Sequence, residues 1–328
     1  MEIIYTFYFF AFFEKVIKKL LTFCYWSSQF ICRDGHFDTW TLETGRKAGM
    51  RKKLWKVLLF LFVFLCCYPV VFTCVGSFMG NGELSDLLAP MFGKKEGFVK
   101  WNLLPTEPTF RSWIEVLLDT PEFFVTFWNS VKITAGILLG QLLFAVPAAW
   151  GFAKHQFFFR KSLFFLYVIL MMMPFQVLML SNYLVLDKLH LLDTLWALIL
   201  PSMFSTFPVF IMYNSFRDIP NEVIEAGRID GAAEFDIFLK IGIPLGKSGI
   251  FSAMVLSFLE CWNLIEQPLA FLKDKTLFPM SIFLPSIEAN HAGTAFVASV
   301  LSLIPAMIIF LLGQEYLEKG IFYMSRKE

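Results

Sequence analysis

Six long apolar stretches dominate the chain, separated by polar segments of very unequal length. They run from Leu54 to Phe78, Phe123 to Phe152, Leu163 to Leu186, Leu195 to Phe216, Gly249 to Phe271 and Thr294 to Leu317. Each supplies about the 20 helical residues needed to cross a hydrocarbon core about 30 Å thick. They are too long and too evenly apolar to be the alternating strands of a barrel, and lipid admits only helices and closed barrels. The pattern therefore predicts an all-α, polytopic membrane protein with six transmembrane helices.

The intervening segments divide the chain into an extension (1–50), the first span with its following connection (51–122), and a core of five spans (123–328). Two connections are long enough to be more than turns: 79–122, which holds Trp101, Trp113 and several prolines, and 217–248. The first is expected to fold over a membrane surface. In the extension, aromatic residues crowd Tyr5 to Phe13, but Glu14, Lys15, Lys18 and Lys19 break the run before it could span. It reads either as an interfacial helix or as sequence upstream of a natural start at Met50, where Arg51, Lys52 and Lys53 precede the first span.

Charge fixes an orientation. Arg46, Lys47, Arg51, Lys52 and Lys53, then Lys154, Arg160 and Lys161, then Arg217, Arg228, Lys240 and Lys247, then Lys319, Arg326 and Lys327 all fall on one side. The other side holds about half as many basic residues, beside many acids, so the positive-inside bias puts both termini in the cytoplasm of a multi-pass cell-membrane protein. A hydrophobic content of 57% fits lipid rather than water as the solvent, and a formal net charge of +1 gives no reason to expect nucleic acid as a partner. The six cysteines show no CxxC spacing and no histidine cluster, so neither a metal site, a cofactor nor a disulfide framework is expected.

The inner connection 217–248 carries the most informative chemistry. Pro220 suits the first turn of a helix, and Glu222 and Glu225 lie where a helix N-terminus favours negative charge. From Val223, Ala226 and Gly227 fall three and four residues on, so one face lacks bulk and another protein could approach it. Gly231 permits a sharp turn, after which residues 232–239 can restart a helix toward the membrane.

The same stretch, EAGRIDGAAEFDIFLKIGIP from Glu225 to Pro244, resembles the EAA loop of ABC importer permeases: Glu-Ala-Ala, three residues, Gly, nine residues, Ile, one residue, Leu-Pro. Here Glu225, Ala226, Gly227, Gly231, Ile241, Ile243 and Pro244 keep the spacing, with Gly227 and Ile243 as departures and Asp230 beside the turn. Asn129-Ser130, IPNEVIEAGRIDGA and FLECWN (Phe258 to Asn263) are similar to the carbohydrate branch, in particular to the second permease of the maltose importer. The resemblance implies an ABC importer type I permease fold and an ATPase-coupling role for the loop. It also implies a second permease subunit, two copies of an ABC ATPase, an extracellular solute-binding protein and a sugar as substrate. ATP hydrolysis would belong to the ATPase partner, and this chain would not be an enzyme.

Three further features need weighing. GIPLGKS (242–248) looks like a phosphate-binding loop but has Ile241 where the pattern needs glycine, and no strand precedes it. Glu260, counted from Gly249, lies about 16 Å into the fifth span, where a carboxylate is expected to face protein or a wet cavity. With Trp262, Asn263 and Asn129 it forms a candidate substrate cavity, since aromatic faces and amides suit sugars; the alternative is that Glu260 or Glu266 pairs with Lys132 or with a partner subunit. Met171 to Met173 before Pro174 reads as packing at a kink. An ion-gradient-driven secondary transporter is the rival function, but the two halves show no internal repeat. A membrane enzyme finds no acid–base pair.

Overall fold

The computed structural model describes residues 68–88, 105–283 and 292–325, together with Leu58, Leu61 and Leu65. The extension 1–50, and most of the first expected span, lie outside the described residues. Among those described, every regular element is a helix. The chain divides into two compact units, Met1–Thr109 and Phe110–Glu328.

In the first unit, α1 (68–76) ends in a turn before α2 (Asn81–Leu88). Glu83 of α2 accepts hydrogen bonds from the Thr106 amide (3.0 Å) and hydroxyl (2.5 Å), and the Thr109 amide donates to the Phe78 carbonyl (2.8 Å). Residues 105–109 are thereby tied back to the end of α1, so part of the long connection 79–122 is folded rather than extended.

The second unit begins with α3 (Arg111–Ile114) and a π turn (Glu115–Asp119), then α4 (Pro121–Lys154), which Pro121 opens at a position where its missing N–H costs nothing. There follow α5 (Arg160–Met172), α6 (Phe175–Lys188), α7 (Trp196–Met203), α8 (Thr206–Arg217), α9 (Asn221–Ile229) and α10 (Glu234–Ile237). A π segment (Phe238–Gly242) leads without a break into α11 (Ile243–Trp262), and α12 (Glu266–Phe271), α13 (Met280–Phe283) and α14 (Ala292–Ser325) complete the unit.

Four described helices are long and apolar enough to cross a membrane: Pro121–Lys154, Trp196–Arg217, Glu234–Trp262 and Ala292–Gln314; α5 and α6 together would make a fifth. One expected span is bent and another has different bounds. The third is not straight: α5 and α6 meet at 105°, because Pro174 cannot continue the helix and holds Met173 extended. The fifth does not run from Gly249 to Phe271. Its helix starts well before Gly249 and stops at Trp262, with Asn263 to Ile265 separating it from α12.

Three helices, α4, α8 and α11, form the centre, with α14 packed on α11 and α7 on α4. Close approach rests on missing side chains. A β-carbon at Gly246 would lie 2.3 Å from the Phe216 ring, one at Gly249 2.2 Å from Ser215 Cβ, and one at Gly140 2.6 Å from Met203 Cβ. Small residues at such crossings are how membrane helices gain packing where lipid supplies no hydrophobic drive. The core near the loop 217–248 contains Ala149, Trp150, Met212, Phe216, Ile237 and Ala253; at the opposite end Ile133, Ile137, Leu198 and Phe271 form one cluster, and Phe123, Trp262 and Val297 another.

Candidate functional site

The loop between α8 and α11 is a helix–turn–helix with its own small core. Pro220 stands just before α9 as its N-cap, and Ile224 and Gly227 are the buried residues of that helix. Gly231 adopts φ +79°, the left-handed conformation that glycine enters without steric cost, and reverses the chain. A β-carbon there would meet nothing within 4 Å, so the requirement for glycine inside this chain is conformational rather than spatial. Gly227 is the reverse case. A β-carbon on it would lie 3.0 Å from Ile241 Cδ1 and 3.5 Å from Ile237 Cγ1. The bare face expected at Ala226 and Gly227 is thus split: Gly227 lets α9 close onto α10 and the π segment, while Ala226 is exposed.

A salt bridge spans the turn. Arg228 Nε donates to Glu234 Oε1 at 2.6 Å and its Nη2 to Oε2 at 3.3 Å, a forked contact that raises the guanidinium pKa further. Asp236 and Lys240 pair at 2.8 Å one helical turn apart. Glu225, Asp230 and Pro244 are exposed and Ile241 is half-buried against Gly227. Glu225 makes no hydrogen bond or ion pair with a described residue, and its charge acts on Arg228, three positions along the same helix, from a distance. Two bulky apolar side chains of the loop are exposed, Ile229 at 86% and Phe235 at 68%.

The loop is also held from the side by α4, which sequence reasoning missed. Lys154 Nζ donates to the Ile219 carbonyl (2.5 Å) and to Asn221 Oδ1 (3.2 Å), where the chain passes from α8 to α9. One turn earlier, Trp150 packs edge-on against Phe216 (5.4 Å between ring centroids) and tilted against Phe238 (5.8 Å), and covers Gly242. Lys154 in the sequence is only one of several basic residues at a span end; nothing in its neighbours marks the carbonyl it reaches 65 residues away.

The four residues expected to line a substrate cavity differ in burial and in partners. Asn129 is buried, and its amide donates to the Thr276 carbonyl (2.7 Å) and the Phe278 carbonyl (3.3 Å). Trp262 is buried, its Nε1 donates to the Ser302 carbonyl (3.0 Å), and its ring stacks on Phe258. Asn263 Nδ2 closes the end of α11 on the Leu259 carbonyl (2.9 Å). All three have the chemistry of sugar ligands, and each has a side-chain N–H donor engaged by a backbone carbonyl. Glu260 is the exposed member of the four, about 25 Å along α11 and close to the C-terminal end of that helix. It forms no ion pair with Lys132 among the described residues. Glu266, at the start of α12, instead accepts from Gln176 Nε2 of α6 at 2.8 and 2.9 Å. The GIPLGKS stretch lies in the π segment and α11, its amides engaged in helix rather than free to cradle a phosphate.

Comparison with known proteins follows the same lines. The family described as "Binding-protein-dependent transport system inner membrane component" matches residues 141–323. An arabinooligosaccharide transport system permease protein of Halalkalibacterium halodurans is 30% identical over 66% of this chain and 79% of its own length. An sn-glycerol-3-phosphate transport system permease protein of Agrobacterium fabrum is 26% identical over 81% of this chain and 94% of its own. Among solved structures, a chain of a bacterial ABC transporter involved in the import of the acidic polysaccharide alginate superposes with a TM-score of 0.70 at 22% identity, covering 83% of this chain and 98% of that one. That likeness establishes the fold.

Proposed function

This chain belongs to the family of binding-protein-dependent transport system inner membrane components, and from that premise we propose that it is the permease subunit of an ATP-driven importer for a sugar or oligosaccharide, coupled to its ATPase through the loop 217–248. The substrate class rests on the relatives, whose names specify arabinooligosaccharides and sn-glycerol 3-phosphate. It works beside a second permease, two copies of an ABC ATPase and an extracellular solute-binding protein, with both termini in the cytoplasm.

The observation that carries the coupling role is the loop itself. It is stiffened internally by the Arg228–Glu234 bridge and the Gly227 contact, yet presents Glu225, Ile229 and Phe235 outward. A connector with no partner would have no reason to combine rigidity with exposed apolar bulk. Closure of the ATPase pair would push on this rigid element, and α8 and α11, locked together at Gly246 and Gly249, would turn with it.

Gly231→Val and Glu225→Lys test the reading. Valine at φ +79° costs about 1–2 kcal/mol of backbone strain and reshapes the turn. Neither change touches an apolar span, so both variants are expected in the membrane at wild-type amounts. Uptake, and the ATPase stimulation produced by loaded binding protein, should be lost. Wild-type uptake with normal ATPase copurification in both variants would reduce the loop to a connector.

A further inference from the structure

We infer that α4 carries the displacement of the loop to the opposite end of the chain, with Lys154 and Asn129 as its two grips. The inference rests on the coupling role proposed above for 217–248.

The argument starts from where backbone groups find partners. After α12 the chain leaves regular helix, and residues 272–279 contain only a short 3-10 turn, Lys275–Leu277. A segment of this kind takes its position from whatever satisfies its amides and carbonyls. Here three side chains from elsewhere do so. Asp193, between α6 and α7, accepts from the amides of Lys273 and Asp274, both at 2.8 Å. Asn129 of α4 donates to the Thr276 and Phe278 carbonyls, and Ser130 of α4 accepts from the Met280 amide at 2.8 Å. The strap is therefore fastened to α4 at two adjacent residues whose partners span five positions.

At its other end, α4 grips the loop at both of the loop's own ends. Lys154 holds Ile219 and Asn221 where α9 begins, and Trp150 covers Gly242 where the π segment joins α11. The two grips are 25 residues apart on one continuous helix, about 37 Å along its axis. A helix packed on α8, α11 and α7 cannot shorten, so a shift of the loop relative to α8 must either break the Lys154 contacts or move α4. Moving α4 moves the carbonyls of residues 276 and 278 and the amide of residue 280. Lys154 and Asn129 are positioning residues in this scheme: neither touches substrate, and each acts through the segment that it holds.

The test uses the complex purified through a tag on this chain, in a cysteine-free background carrying Lys275→Cys on the exposed strap. The readout is the rate of labelling by an impermeant maleimide before and after addition of ATP with orthovanadate. In the otherwise unaltered chain the rate should change severalfold on trapping. Lys154→Met and Asn129→Ala should each abolish that change while the ATPase still copurifies and still traps nucleotide. Lys154→Arg, which keeps a donor for the Ile219 carbonyl, should restore it. A purely structural role would lower recovery of the complex and leave the response of whatever assembles unchanged. If the response at residue 275 persists undiminished in both Lys154→Met and Asn129→Ala, the inference is overturned. Failure of any ATPase to copurify, even with unaltered Lys154 and Asn129, would instead overturn the coupling role beneath it.

Discussion

A single β-carbon at residue 249 would sit 2.2 Å from Ser215 Cβ, a separation that real side chains do not tolerate. Gly249→Ala should therefore force α8 and α11 apart and destabilise the protein by about 1–3 kcal/mol, the usual range for overpacking a close contact. Gly151→Ala is the control, since a β-carbon there meets nothing within 4 Å; thermal unfolding of the detergent-solubilised protein should separate the two. Asp193 offers a second prediction. Its carboxyl is held below the ordinary carboxylate range by the amide of Asp274 first and that of Lys273 second. A depressed acid contributes stability that is present above its unfolded pKa and lost only as pH falls through the folded one. Protection of the Lys273 and Asp274 amides from hydrogen exchange, corrected for intrinsic rate, should persist as pH falls past about 4, and Asp193→Asn should weaken it already at neutral pH. At this scale the sequence tells residue type far better than partner. Gly231 was legible because a turn was needed between two helices. The partners of Asn129 were not legible, because an amide that binds a hydroxyl and one that binds a carbonyl have identical chemistry, and the carbonyls of residues 276 and 278 are nearly 150 positions away.

Helix existence followed directly from apolar runs, whereas helix ends did not. Periodicity cannot tell an apolar residue in α11 from one in α12, so the expected fifth span ran through the break at Asn263–Ile265. Pro174, by contrast, announced an interruption, although not an angle of 105°. Just beyond that bend, α6 is tied to α12 by the Gln176–Glu266 hydrogen bonds and by the Phe175–Phe271 ring contact at 6.3 Å. Glu266→Ala should lower the thermal midpoint, because the Gln176 amide loses its acceptor. Glu266→Gln keeps a carbonyl oxygen in reach and should recover most of the loss; equal midpoints for the alanine and glutamine variants would show that the contact holds nothing.

For the whole chain, the membrane class and the family were readable before any geometry, because hydropathy and motif spacing are properties of sequence alone. The through-molecule connection along α4 was not, since it depends on which backbone groups remain unsatisfied after folding. Orientation remains a matter for direct labelling. A cysteine introduced as Lys188→Cys should react with an impermeant thiol reagent added to intact cells, and one introduced as Asp236→Cys should be protected; reversed labelling would invert the topology and with it the side on which an ATPase could dock. One feature of the loop also bears on the chain's life in the cell. Ile229 and Phe235 are largely exposed on the loop that we propose seats the ATPase. A subunit made without its partners thus advertises its own solitude to chaperones and proteases, which read exposed apolar bulk. Supply of the ATPase should lengthen the half-life of this chain, so that the seat for a partner doubles as the signal by which unassembled copies are cleared.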